Sequence, residues 1–296
     1  TAPLLYVVGD LKDTFESLFG RFNYSYDNKY YLQVLARRDG SSKFGPENKY
    51  GFFPAASASW YISQEDFLKG NKVLSNLKLR TSYGKVGSSQ FASGQYAAFF
   101  DKGTVYNGTN SLYPYNIKNP ALKWEEALNF DLGVDFGFFN NRITGELAYY
   151  HKKTTGALLN GAISPSTGFL NGWVNVGTIT NQGLELSLNT INIQSDNFKW
   201  VTRLNVSQNQ NKVIDLGGFS ADAISGGTND TRIAIGYPLG INYLVRYKGV
   251  DPADGLPIWL NKDGYETKTF SLDDRVITGQ VLPDFVGGLT NTFTYK

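Results

Sequence analysis

The stretch LNFDLGVDFGF, residues 128–138, decides the fold. Leu128, Phe130, Leu132, Val134, Phe136 and Phe138 alternate with Asn129, Asp131, Gly133, Asp135 and Gly137. Successive side chains of a strand point to opposite faces, so one face is apolar and the other polar. A helix would spread both sets around its circumference. A tilted strand of about 9–11 residues crosses a bilayer, and this stretch is that long.

Weaker versions of the alternation lie on both sides. Leu77, Leu79, Thr81 and Tyr83 oppose Lys78, Arg80 and Ser82. Leu184, Leu186 and Leu188 oppose Glu185, Ser187 and Asn189, and Leu18, Phe22, Tyr24 and Tyr26 oppose Ser17, Arg21, Asn23 and Ser25. Strands are expected at 15–26, 29–38, 51–62, 75–86, 122–138, 142–153, 181–194, 197–213, 237–249 and 284–296. Asp27-Asn28, Asn140-Asn141 and Ser195-Asp196 suit hairpin turns. Residues 39–50, 87–121, 154–180 and 214–236 are long connections of the opposite parity. Short turns on one rim and long loops on the other are the pattern of a bacterial barrel, whose long loops are extracellular. Residues 63–74 and 250–283 are expected as longer links on the short-turn side. The fold class is therefore all-β, an antiparallel up-and-down transmembrane β-barrel segment of about ten strands. A soluble amphipathic sheet alternates too, but has less reason for long strands or sorted loops.

Composition agrees. Hydrophobic residues are 41% and aromatic residues 15%, with 32 Gly, and mean hydropathy is −0.29. No run nears the ~20 apolar residues of a membrane-spanning helix. The net charge of +2, with scattered Lys and Arg, gives no footprint for nucleic acid. Zero Cys removes disulfides and thiolate chemistry.

RFNYSYDNKYYLQVLARRDGSSKFGPENKYGFFPAASASWYIS from Arg21, SNLKLRTSYGKVG from Ser75 and NPALKWEEALNFDLGVDFGFFNNRITGELAYYHKKTTGALL from Asn119 closely resemble the SusC/RagA family of TonB-dependent outer-membrane transporters. VGTITNQGLELSL, FKWVTRLNVSQNQNKV and LPDFVGGLTNTFTYK continue the resemblance in order. It implies a wall segment from a barrel of roughly 22 strands closed by a plug. It also implies active import of glycans or other large nutrients, peptides included, without enzymatic activity. The partners would be a SusD-like surface lipoprotein, the TonB complex reached through a plug region, and outer-membrane lipid. No cofactor is implied. Residues 1–14 are expected as a loop or linker from a preceding part of a longer polypeptide, and 15–296 as part of the barrel domain. The alternatives are a passive porin or a barrel adhesin with partner-binding loops and, weakest, a soluble carbohydrate-binding β-sheet protein.

Catalytic and metal chemistry have little support. His151 is the only His and reads as a rim residue at a strand end. Asp251 to Gly255 and Asn261 to Gly264 faintly resemble calcium loops but lack the ligand spacing, and read as Asx turns. Gly84 to Ser89 lacks the Gly-Lys-Ser/Thr ending of a phosphate loop. Trp60, Trp124, Tyr149 and Tyr150 best suit an interfacial aromatic girdle. Tyr106, Tyr113, Tyr115, Phe169 and Trp173 are loop aromatics that would meet ligand or lid, or pack within their loops. Arg21, Arg80, Asp131, Asp135, Glu146, Glu185 and Arg203 are expected to line the lumen, contacting cargo or plug, or forming a lattice that keeps the wall wet.

Overall fold

The computed structural model describes residues 13–91, 93–97, 100–106, 108–114, 116–219 and 231–296, with only the backbone for Asp101, Lys102, Tyr106, Asn110 and Leu112. The expected linker 1–14 lies almost wholly outside these residues.

The alternating stretches form long strands: β1 (Phe15–Tyr26), β2 (Tyr30–Ser41), β3 (Tyr50–Tyr61) and β4 (Leu74–Ser88). A hairpin of β5 (Phe100–Tyr106) and β6 (Thr109–Pro114) interrupts the series. It resumes as β7 (Glu125–Phe138), β8 (Ile143–Ala162), β9 (Asn171–Gln194) and β10 (Phe198–Asp215). The excursion that follows carries β11 (Thr231–Arg232), β12 (Ile241–Leu244), β13 (Arg246–Val250), β14 (Pro257–Leu260), β15 (Glu266–Thr267) and β16 (Val276–Gln280). Last comes β17 (Phe285–Tyr295). One antiparallel sheet of nine strands runs β1-β2-β3-β4-β7-β8-β9-β10-β17.

The wall thus has nine strands here, not ten. Residues 237–249 lie outside it, and β10 pairs directly with β17. Pro238 has no N–H for a ladder, Gly240 sits at φ 73°, and the segment breaks into four- and five-residue strands. Neither reaches the ~9–11 residues of a crossing. This also removes an anomaly of parity: residues 250–283 belong to one excursion from the long-loop rim, not to the short-turn side. The loop expected at 154–180 is mostly strand, because β8 and β9 pair as far as Ala162↔Asn171. Their ladder skips Gly156 and Gly177, at φ 62° and 82°, where the hairpin changes course.

The tight turns fall on the other rim. Asp27 and Asn28, in the three-residue connection between Tyr26 and Tyr30, both take φ 51°, the positive φ that lets a tight hairpin match strand twist. Phe139, Asn140 and Asn141 are also at positive φ, which is costly for a bulky Phe.

Residues on the apolar face are exposed: Leu18 is 72% and Phe22 60% accessible. The polar face is concave, with a cavity of about 640 Å³ across β1–β4 and β7. A sheet whose polar side is concave and half-buried on β3, β4 and β7 and whose oily side is exposed suits lipid, not water. Among the described residues the sheet ends in β1 and β17, and no strand pairs beyond either. Unpaired backbone in hydrocarbon costs several kcal/mol per group, so this sheet is part of a barrel wall.

Candidate functional site

The register lines up the polar-face residues in rows across the strands. One row runs Asn23, Gln33, Ser57, Ser82, Asp131, Tyr150, Gly183, Asn209. The next toward the short turns runs Ser25, Tyr31, Ser59, Arg80, Gly133, Ala148, Glu185, Ser207. Below it come Tyr61, Lys78, Asp135, Glu146, Ser187 and Asn205.

Arg80 is the hub. Its Nε donates to Asp135 Oδ1 at 3.1 Å, and an Nη bonds and ion-pairs with Glu146, two strands away on β8. Lys78 Nζ lies 3.7 Å from Asp135, and Ser82 Oγ donates to Asp131 at 3.0 Å. The Arg80 side chain reaches β8 by crossing Gly133, where a Cβ would stand 2.7 Å from the guanidinium carbon. Tyr150 repeats the device. Its hydroxyl donates to Asn209 Oδ1 on β10 at 2.9 Å, lying over Gly183, where a Cβ would meet that hydroxyl at 2.8 Å. Gly133 is therefore a passage for a side chain, and at Gly183 a Cβ would meet the Gln208 carbonyl even more closely than the Tyr150 hydroxyl.

All seven expected lumen residues share this face by register. Arg80, Asp131, Asp135 and Glu146 come together. Arg21 and Arg203 stand apart, Arg21 facing Leu35 and Arg203 beside Asn189, while Glu185 lines one hollow with Arg80, Asp131 and Glu146.

Among the described residues, the loop aromatics Tyr113, Phe169 and Trp173 make no ring contact with one another. Tyr113 is 48% exposed on β6, Phe169 sits half-buried at the tip of the β8–β9 hairpin, and Trp173 packs at 6.0 Å from Phe91. Tyr115 lies outside the described residues, and only the backbone of Tyr106 is described. Trp173 instead borders a core of Phe44, Phe53, Phe91, Leu122 and Trp124. Trp124 corrects the girdle assignment. It is 5% exposed, 4.9 Å from the Phe44 ring, and donates its Nε1–H to the Lys49 carbonyl at 3.2 Å. Phe44, Phe91 and Leu122 from the long connections, with Phe53 from β3, cover it, which strand parity alone did not reveal. Asn175 locks the same loop to β9, accepting from Lys123 N at 2.8 Å and donating to Lys123 O at 2.6 Å.

Tyr150 is also no girdle residue, since it lies on the polar face. Tyr149 and Trp60 lie on the apolar one. The short-turn rim carries an aromatic belt that sequence analysis largely missed: Tyr26, Tyr30, Trp60, Phe136, Phe138, Phe198, Trp200, Phe293 and Tyr295. Tyr30 and Trp60 stack at 6.2 Å, and Trp200 and Phe293 at 5.6 Å. The signal was available as the aromatic nearest each turn on the apolar phase. Glu65 ties the belt to the 62–73 link, accepting from Tyr30 Oη at 2.5 Å and Trp60 Nε1 at 2.9 Å. The hydrogen bond from Tyr30, then that from Trp60, holds the Glu65 carboxyl below its usual range.

His151 does not end a strand, because β8 continues to Ala162. It stands where the outer face turns polar, in a row with Gln182 and Gln210. Lys268 stands where the first calcium-like loop would hold a cation: its Nζ is 2.6 Å from Asp251 and 2.5 Å from Asp254. It holds both carboxyls below their usual range. Among the described residues no three His, Cys, Asp or Glu side chains group as metal ligands.

Comparison with known proteins is consistent with this geometry. Residues 3–279 match the family model for the TonB dependent receptor-like β-barrel. TonB-dependent receptor P26 of Formosa agariphila is 38% identical over 95% of this chain, which spans 30% of that protein. TonB-dependent receptor SusC of Bacteroides thetaiotaomicron is 33% identical over 96% of this chain, again 30% of its own length. The RagAB peptide importer in its open-open state superposes with a TM-score of 0.89 at 28% identity, covering 96% of this chain and 31% of that one. The chain therefore spans about three tenths of the relatives it matches. These matches bear out the resemblance seen in the sequence words, and members of this family are outer-membrane proteins. The chain belongs to the TonB-dependent receptor family, as part of its β-barrel.

Proposed function

We propose that this chain forms wall and loops of an outer-membrane active importer of glycans or other large nutrients, peptides included. Import is energised through TonB and works with a SusD-like surface lipoprotein. The role is transport, not catalysis. The observation that carries the reading is the pairing of an exposed apolar outer face with a concave, charge-laced inner face on the same nine strands. Residues 15–296 belong to the barrel domain, with the long-loop rim outside the cell. Arg21, Arg80, Asp131, Asp135, Glu146, Glu185 and Arg203 line the lumen. Tyr106, Tyr113, Tyr115 and Phe169 meet cargo or lid, while Trp173 serves mainly to hold its loop.

The test is uptake by cells carrying or lacking the full-length gene, with and without TonB, over a panel of oligosaccharides and peptides. Gene- and TonB-dependent uptake is expected. Uptake that depends on the gene but not on TonB would establish the passive porin instead. Co-purification of the intact receptor with a surface lipoprotein tests the partner.

A further inference from the structure

The outer, lipid-facing side of β8 to β10 changes character at one level. The row of Tyr149 and Leu184 still carries apolar side chains. The next row toward the long loops holds His151, Gln182 and Gln210, and the one after it Lys153, Thr180 and Lys212. The run of β8 from Ile143, which faces Phe138 of the short-turn belt, to Lys153 fixes the height of that row. At about 3.4 Å per residue and a tilt of about 40° it climbs about 26 Å, and the apolar band of a barrel is about 25 Å tall. Lys153 and Lys212 therefore stand where hydrocarbon gives way to headgroups.

Both lysines are exposed, and neither makes an ion pair among the described residues. Lys85, in the same row on β4, gives its ammonium to Glu126 at 2.7 Å instead. The outer-phase carboxylates of β7 to β10 are Glu126 and Asp215, and both lie one row toward the long loops. Lys85 takes the first, and the second accepts from Gly217 N at 3.1 Å.

An ammonium at this depth is costly unless an anion meets it. Its stem can lie along the apolar rows while the head turns toward the headgroups. Lys153 and Lys212 are two strands apart, about 10 Å between backbones, so both heads can approach one anionic headgroup. Thr180 stands between them, and Gln182 and Gln210 supply uncharged donors beneath.

We propose that the patch of Lys153 and Lys212 is a binding site for a phosphate-bearing lipid of the leaflet around the long-loop rim. Phosphate is the anion that bilayer headgroups carry at this depth, and the two ammonium groups hold it as point charges. The patch continues the lipid-facing surface, so its occupant is a membrane lipid, not a soluble anion. It takes from the importer reading only that the long-loop rim lies outside the cell, which makes the leaflet the outer one.

The test uses the full-length receptor in nonionic detergent, with bound lipid counted by native mass spectrometry. The probes are diphosphorylated lipid A and the same lipid with both phosphates removed. The unaltered receptor should bind the phosphorylated probe at least about tenfold more tightly, a difference of about 1.4 kcal/mol. Lys153→Gln combined with Lys212→Gln should remove that preference, and Lys153→Arg combined with Lys212→Arg should keep it. Lys152→Gln makes the same change of charge on the inner face, in the hollow of Arg80 and Glu146, and should leave the preference intact. If the double Gln variant misfolds, each single Gln variant should weaken the preference. Equal binding of the two probes, a preference that survives the Gln variants, or its loss in Lys152→Gln would overturn the site. So would displacement by inorganic phosphate at the lipid's own concentration, which would mark a soluble anion's site. Uptake plays no part in this readout, so failure of the site and failure of the importer reading are told apart.

Discussion

Trp60 and Trp124 are the same residue type on the two rims of one wall, and their surroundings are opposite. Trp124 sits at the long-loop rim, 5% exposed among Phe44, Phe53, Phe91 and Leu122. Trp60 sits at the short-turn rim on the apolar face, stacked on Tyr30, with its Nε1–H given to Glu65. The first rim makes its own apolar core from side chains of its long connections, as a soluble protein does. The second borrows its apolar surroundings from the bilayer and supplies only a belt of amphipathic rings. Long connections therefore need internal packing, while turns of three or four residues need only tight-turn geometry and an edge for the membrane.

If the contrast is right, truncation should cost far more at the loop core. Trp124→Ala in the full-length receptor should destabilise that region by about 3–5 kcal/mol, the usual cost of removing a large buried ring. Limited proteolysis should then cut within 42–49 and 89–124 while the strands stay resistant. An unchanged cleavage pattern would mean that the cluster does not hold the loops.

The wall between the rims is tested next. Gly133→Val would block the Arg80 passage to Glu146, at about 1–3 kcal/mol, as overpacking does. Arg80→Ala alone leaves Asp135 and Glu146 without that cation. The double variant should be no worse than the worse single one, read from the temperature at which the barrel loses its folded migration on gels. Additive losses would separate the glycine from the arginine.

At the short-turn rim, Glu65→Gln keeps the size but loses the carboxylate that gathers Tyr30, Trp60 and Lys29. Faster amide exchange confined to 62–73 is expected, with the belt and the barrel intact. The smallest effect belongs to the excursion. Asp251 and Asp254 are depressed below the aspartate reference of 3.8 by Lys268. Their contribution is complete above that value and lost as pH falls through the lower, folded-state values. Exchange in 246–270 should rise only in acid, and Lys268→Gln should weaken that pH dependence without removing it, because the Ala253 and Leu256 N–H groups still donate to Asp251 and Asp254.

Much of this was legible in the sequence for a simple reason. A strand's side-chain period of two is local, so the apolar and polar sets of 128–138 had to separate whatever lay beside them. The hairpin residues Asp27 and Asn28 were readable because few side chains tolerate positive φ. The segment 237–249 misled because its apolar content resembles a strand, while Pro238 and Gly240, which cut it short, each act on one backbone bond.

By itself the sequence determined the faces, the tight turns and the sorting of long and short connections, all of which are set by backbone geometry within a few residues. Only the tertiary structure decided which residues meet. Arg80 reaches Glu146 because Gly133 lies between them in register, Tyr150 reaches Asn209 over Gly183, and Trp124 is buried because two distant loops fold onto it. Those outcomes depend on which strand becomes whose neighbour, and hydrophobic burial and ion pairing act through space rather than along the chain.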